Sequence, residues 1–349
     1  MPIIRFTLFL IASLTGILFL IPWVIILIPF WFISIILKIV DGLKPKIAGW
    51  EDIIKFDHLL GWRAKPNTRS YMETDGVYRI TTGPDGWRGN YNLSESNVVV
   101  MGDSFVFGQG TDDGDYFAGL TKVAKVKPIG APGYGATHYL LLLRTLTTEL
   151  KDKLVIWFVF TGNDYREAIR PTSYGYHFPF VFYDNETNTY KIRTDNINPQ
   201  KLPFNFEKGY KTSMPELADL YYKNYLSDYA FGAFEYLVKE AKNHCEKYGA
   251  KFAIATIPLW WVLDEKTVNK IKRHCSDVEQ FSSRYPDERT AEICNRHYIL
   301  FRAGSDCFVR KDFLPNDFHW SRAGNQKAAL VIDEMRNLLF PIKLVKIKP

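Results

Sequence analysis

Short apolar runs punctuate the chain between residues 98 and 301, and each is stopped by a turn. Val98-Val99-Val100-Met101 runs into Gly102, and a short strand-like piece around Val126 to Ile129, which includes Lys127 and Pro128, into Gly130-Ala131-Pro132-Gly133-Tyr134-Gly135. Leu154 to Phe160 runs into Thr161-Gly162-Asn163-Asp164, Phe252 to Ile257 into Pro258, and Tyr298 to Phe301 completes the set. Runs of four to seven apolar residues bounded by turn signals predict strands buried on both faces. Between them the pattern predicts helices near Tyr116 to Val123, over Thr137 to Leu150 with a Leu-rich face, and over Tyr229 to Lys247. Two further helical stretches precede Tyr298, and an amphipathic helix over Ala323 to Leu339 closes the chain. Strands alternating with helices predict an α/β fold, a doubly wound parallel sheet with helices on both faces in three layers.

A different pattern opens the chain. Phe6 to Leu37 carries no charged residue, and its roughly thirty residues exceed the ~20 that one helical span requires. Pro22 and Pro29 interrupt it, so it reads either as one kinked transmembrane helix or as a helical hairpin. The stretch is far longer than the apolar region of a signal peptide and lacks a small-residue cleavage site. Arg5 flanks one end and Lys38, Lys44, Lys46 and Lys55 the other. Positive-inside counting favours a cytoplasmic side for the large domain that follows, but large domains translocate regardless, so the side stays open.

Three regions follow: an anchor over residues 1–40, a turn-rich approach over 41–97, and an α/β domain over 98–349. The approach holds short strand-like pieces such as Val77 to Thr81, punctuated by Gly61-Trp62, Pro66-Asn67 and Gly83-Pro84-Asp85-Gly86. From about 165 to 225 the alternation stops in a stretch dense in aromatics, read as an insertion covering the site.

Composition adds little to this picture. A net charge of +6 with no Lys/Arg block gives no sign of nucleic-acid binding. Cys245, Cys275, Cys294 and Cys307 form no Cys-x-x-Cys pair, which argues against zinc or redox chemistry. Two disulfides and four free thiols both fit. No metal or organic cofactor is expected.

The chemistry lies at the turns. Ser104 stands where a parallel strand passes into the next helix, the edge of an open α/β sheet at which active sites collect. Gly102-Asp103-Ser104, Gly133, Gly162-Asn163-Asp164 and Asp317-Phe318-His319 occur in that order. In this the chain resembles the SGNH (GDSL-like) hydrolases over roughly Val98 to Leu339, and its membrane segment and approach resemble bacterial membrane-anchored members. The resemblance implies an SGNH, flavodoxin-like fold and a triad of Ser104 as nucleophile, His319 as base and Asp317 as the residue orienting it. It also implies an oxyanion hole made by the backbone N–H groups of Ser104 and Gly133 and the Asn163 side-chain amide. One departure is visible. The family's acidic residue commonly lies three before the histidine, where this chain has Asn316, and Asp317 lies two before. Asp103 is expected to satisfy backbone groups of its own turn.

Three functions remain in competition on sequence grounds. The first is a membrane-anchored serine hydrolase of O-acyl esters of glycans or lipids, the second an O-acyltransferase using the same triad on a surface polysaccharide. The third is a catalytically inactive, membrane-tethered glycan-binding or assembly module, favoured only by Asn316. Protein partners, oligomeric state and acyl-chain length are not written in any motif.

Overall fold

The computed structural model describes residues 45–341. The apolar stretch Phe6 to Leu37 lies outside them, and no helix among the described residues is long and apolar enough to cross a membrane. From Ile47 onward the described chain belongs to a single compact unit.

At its centre are five parallel strands: β1 (Val98–Gly102), β2 (Val126–Gly130), β3 (Leu154–Phe160), β4 (Lys251–Ile257) and β5 (Leu300–Arg302). Their spatial order is β5-β4-β3-β1-β2. Val98 to Met101 and Leu154 to Val159 are completely buried. Covering both faces of such strands is what an unbroken apolar run requires, at about 1.5–3 kcal/mol per buried aliphatic side chain. Strand β2, which carries Lys127 and Pro128, takes the edge, the place where a proline without an N–H is tolerated. The Lys127 ammonium is bonded to the Asp85 carboxylate and to the carbonyl of Tyr91.

The layers follow from right-handed crossovers. Helices α1 (Ala136–Thr145), α2 (Phe206–Asp219), α3 (Tyr225–Lys247), α4 (Glu265–Lys272), α5 (Tyr285–Arg296) and α6 (Arg322–Leu339) connect or follow the strands. The crossovers β2→α1→β3 and β3→α3→β4 run in one direction, which sets α1 and α3 on one face, where they pack together. The β1→β2 connection runs the other way, onto the opposite face, where α6 packs against it. Strand order therefore reverses between β1 and β3, and the crevice at that switch point opens beyond their carboxyl ends.

Local patterning misplaces some elements. In place of a helix over 116–123 the chain forms two 3-10 turns, Asp113–Asp115 and Phe117–Gly119. Distant side chains take the backbone donors there. Asn325 Oδ1 accepts the Phe117 N–H at 3.1 Å, and Asp333 accepts those of Lys122, Val123 and Ala124 at 2.7, 3.0 and 2.8 Å. Helix α1 ends at Thr145 rather than 150, because Leu146 turns extended and a 3-10 turn follows at Thr148–Leu150. Helix α3 begins four residues earlier than the pattern suggests, where Asn224 caps the Ser227 N–H at 3.0 Å. The aromatic insertion is not irregular throughout: it holds two hairpins (Thr172–Ser173 with Tyr176–His177, and Phe180–Asp184 with Thr189–Arg193) and helix α2. All four cysteines are free thiols.

The approach folds as two hairpins, Ile54–Asp57 with Gly61–Ala64 and Arg69–Glu73 with Val77–Thr81. Both reach loops at the carboxyl end of the sheet. Trp62 Nε1–H donates to Pro132 O at 3.1 Å, and Asp75, between the strands of the second hairpin, accepts the Asn316 N–H at 2.6 Å.

Candidate active site

Strand β1 ends at Gly102, and Asp103 turns the chain by capping a single helical turn, Ser104–Phe107. Its Oδ1 accepts the Phe105 N–H at 2.9 Å, the local role expected of it. Ser104 opens this turn, so its own N–H has no partner within the helix. Beyond the turn the backbone is fixed by Arg88, a guanidinium only 1% exposed. It donates to the carbonyls of Phe107, Gly108 and Thr111 at 3.1, 3.0 and 2.7 Å and pairs with Asp113 at 3.0 Å.

His319 lies in a tight loop closed by the bridge between Phe313 and Trp320 and by the Leu314 N–H donating to His319 O at 2.9 Å. Arg310 gathers the same loop, donating to the carbonyls of Phe313, Leu314 and Pro315 at 3.1, 3.1 and 2.8 Å, while its guanidinium lies 3.7 Å over the Trp260 ring. Trp260 Nε1–H in turn donates to Asp317 O at 3.0 Å.

Within that loop Asp317 Oδ1 accepts the backbone N–H of His319 at 2.9 Å and is hydrogen-bonded to its Nδ1. His319 Nε2 stands 2.6 Å from Ser104 Oγ. The structure thus brings Ser104, His319 and Asp317 into one line of hydrogen bonds, and Asn316 is held through its backbone by Asp75. Burial opposes ionisation of Asp317, yet the hydrogen bond and charge of His319 and the N–H groups of His319 and Phe318 hold its carboxyl below the usual range. The Phe105 ring packs against the imidazole at 5.0 Å between centroids.

The three residues expected to bind an oxyanion follow three neighbouring strands: Ser104 after β1, Gly133 after β2 and Asn163 after β3. Gly133 has φ +77, a conformation that favours glycine, and a Cβ there would meet Tyr174 Cδ2 at 3.0 Å and Trp62 Cζ2 at 3.2 Å. Asn163 stands on a turn anchored by Asp164, whose Oδ2 accepts the Phe160 N–H and the Tyr139 hydroxyl, both at 2.8 Å. Asn163 Nδ2 donates to the Tyr174 hydroxyl at 3.3 Å, while its Oδ1 is buried without a hydrogen-bond partner.

Two carboxyls are sealed behind Ser104. Burial pushes Asp103 up to about 6, against the Phe105 N–H, the charge of His319 and the Ser104 hydroxyl, which lies 3.3 Å from Asp103 Oδ2. Asp164 is pushed well up as well, by burial first and then by the charge of Asp103. Among the described residues no group of three or more His, Cys, Asp or Glu could hold a metal ion.

Proton transfer from a serine hydroxyl to an imidazole whose far nitrogen bonds a carboxylate is what this geometry can do. No protein-family model and no curated protein matches the chain. Solved structures do. A carbohydrate acetylesterase from Sinorhizobium meliloti is 13% identical, with 70% of this chain and 99% of that one covered at a TM-score of 0.38. A GDSL-like lipase from Bacteroides thetaiotaomicron is 13% identical, over 69% and 88%, at 0.36. An aryl esterase from M. smegmatis is 11% identical, over 69% and 98%, at 0.40. Likeness at this level decides nothing about activity, which has to be argued from the site itself.

Several residues that shape the site escape sequence reasoning. Arg88, Arg310, Trp260 and Asp75 sit in no motif; Arg88, Trp260 and Asp75 act on loops far from them in sequence, and Arg310 on the carbonyls of Phe313, Leu314 and Pro315 just beyond it. Trp62 stands out within the approach as part of a Gly-Trp pair, but only the fold shows it against Pro132. Tyr174 belongs to the aromatic insertion and is indistinguishable there from its neighbours. Trp320, beside His319, packs in the core against Phe105, Phe158 and Phe308.

Proposed function

We propose that this chain is a serine hydrolase of ester bonds working through an SGNH-type site. The observation that carries the proposal is the unbroken line Asp317–His319–Ser104 at the switch point of the sheet, with 2.6 Å between His319 Nε2 and Ser104 Oγ. In the first step Ser104 Oγ bonds to the acyl carbon as its proton passes to His319 Nε2. Negative charge gathers on the carbonyl oxygen, held by the N–H groups of Ser104 and Gly133 and by Asn163 Nδ2. Each such donor is worth about 3 kcal/mol of barrier. Collapse breaks the ester C–O bond, and His319 protonates the departing alcohol. Water then attacks the acyl-serine, giving its proton to His319, and the acid leaves as Ser104 regains its hydrogen. Asp317 keeps the imidazole in the tautomer that accepts at Nε2.

On this reading the substrates are O-acyl esters of glycans or lipids met near a membrane, to which residues 6–37 tether the enzyme. That assignment draws on the apolar N-terminal stretch and on the aromatic insertion around the site. Transfer to a sugar hydroxyl instead of water is a second reading. The observation favouring it is the closure of the site, since Ser104 is only 9% exposed and shielding an acyl-enzyme from water favours another acceptor. The 2.6 Å contact favours either reaction over an inactive binding module.

The full-length chain in detergent is mixed with p-nitrophenyl acetate. The proposal expects a burst of p-nitrophenolate equal to the enzyme present, abolished by Ser104→Ala. Faster turnover on adding a sugar acceptor would select the transferase. A wild-type chain, folded yet without burst or turnover, overturns the proposal.

A further inference from the structure

Tyr174 touches two of the three groups assigned to the oxyanion hole. Asn163 Nδ2 donates to its hydroxyl at 3.3 Å, and its ring edge stands 3.0 and 3.1 Å from the position a Cβ would take on Gly133. A substrate oxygen held by Asn163 and the Gly133 N–H has to lie within about 2.7–3.1 Å of those donors, in the space this side chain now lines. The residue is also held in an unusual conformation. It forms, with Gly175, the two-residue turn between Thr172–Ser173 and Tyr176–His177, at φ +50 and +78. Two successive positive φ values suit Asn-Gly pairs, and a bulky aromatic at the first position is strained. Backbone strain in a bulky side chain gathers where a fold holds a group against its local preference.

The hairpin is a short excursion whose Tyr174 and Tyr176 rings pack against the rim of the core. Its strands are two residues long, too short to be stable alone. It is supported from outside, by the Leu202 N–H donating to Gly175 O at 2.9 Å and by Trp62 against Tyr176 at 4.9 Å between centroids. Such elements open at low cost compared with global unfolding.

We propose that Tyr174 is a gate on the oxyanion hole. In the resting state its hydroxyl takes the Asn163 amide and its ring covers Gly133, and the acyl group of a substrate displaces it. Opening draws on binding energy, so esters with enough bound surface to hold the hairpin aside react faster than small ones. The proposal rests on Ser104 being the nucleophile. A different role, in which the hydroxyl donates to the oxyanion as a further member of the hole, predicts effects of opposite sign. The phenol is neutral, pushed up to about 12 by burial and then by the charge of Glu167, so it can serve either way.

The test measures the second-order rate of labelling by a small alkyl fluorophosphonate, and kcat/KM for p-nitrophenyl acetate, in wild type, Tyr174→Phe and Tyr174→Ala. Tyr174→Phe keeps the ring and its packing, so it folds even where the alanine variant does not. The gate predicts that Tyr174→Phe raises both rates by about fivefold, the value of one net hydrogen bond. Tyr174→Ala raises them by at least as much, and the gain shrinks for longer acyl esters. A fall of about 10²-fold or more in Tyr174→Phe identifies an oxyanion donor instead and overturns the gate. Unchanged rates overturn it too and leave the hydrolase standing. Absence of labelling in all three folded proteins removes the nucleophile and, with it, the gate.

Discussion

Asp317 and His319 are joined twice: one carboxylate oxygen accepts both the backbone N–H and the imidazole Nδ1 of the residue two positions on. A spacing of two lets the carboxylate fold back on its own turn, so the hydrogen bond that shapes the loop also aims the ring. Asp317→Asn is expected to lower kcat by about 10²–10⁴-fold, because an amide can hold the wrong tautomer. Asn316→Ala is expected to leave kcat nearly unchanged, since Asn316 is held through its backbone N–H. Steady-state rates with p-nitrophenyl acetate check both. A larger loss at Asn316 than at Asp317 would reverse the assignment.

Asn163 should behave as a group that works in the transition state. Asn163→Ala is expected to lower kcat by about 10²–10³-fold with little change in KM. A rise in KM alone would make it a binding residue.

Arg310 ties three successive carbonyls of the histidine loop and stacks on Trp260. Arg310→Ala is expected to cost about 1–3 kcal/mol in stability and to lower kcat by loosening His319. Arg310→Lys restores little, because an ammonium lacks the planar fork that reaches three oxygens. Urea unfolding alongside rates separates the two effects. Full stability with full activity in Arg310→Ala would show that the loop holds itself.

Asp103 makes a pH-dependent contribution whose sign is unusual for a carboxylate. Its ordinary value is 3.8 and burial raises it to about 6, so between these values the native state keeps a proton that the unfolded chain has lost. Stability owed to this group is therefore greatest below about pH 4 and falls as pH rises through 6, by roughly 3 kcal/mol in all. Asp164 is raised as well and acts in the same direction. Asp103→Asn, which keeps an acceptor for the Phe105 N–H, is expected to match wild type near pH 4 and to become the more stable protein above pH 6. Denaturation at pH 4.5 and 7.5 checks this. A stability difference constant with pH would mean that Asp103 ionises normally.

Much of the fold is legible along the chain because parallel strands buried on both faces leave unbroken apolar runs. Val98 to Met101 and Leu154 to Phe160 can hardly be anything else. The helix expected over 116–123 fails for a reason no local pattern holds: Asn325 and Asp333, some two hundred residues away, take its backbone donors. At the site, the short blocks around Ser104, Gly133, Asn163 and His319 are visible because each sits at a strand end or turn. Arg88, Arg310 and Asp75 are not, since they act through carbonyls and N–H groups whose identity the sequence does not encode. Tyr174 is hidden for another reason: in a stretch crowded with tyrosine and phenylalanine, only the fold shows which ring stands against Asn163 and Gly133.

The central claim is that Ser104 is an activated nucleophile, and mass mapping of a fluorophosphonate adduct on the full-length chain tests it most directly. The account predicts one adduct per chain on the peptide containing Ser104, absent in Ser104→Ala and slowed by at least about 10³-fold in His319→Ala. An adduct on another residue, or equal labelling in Ser104→Ala, would contradict it.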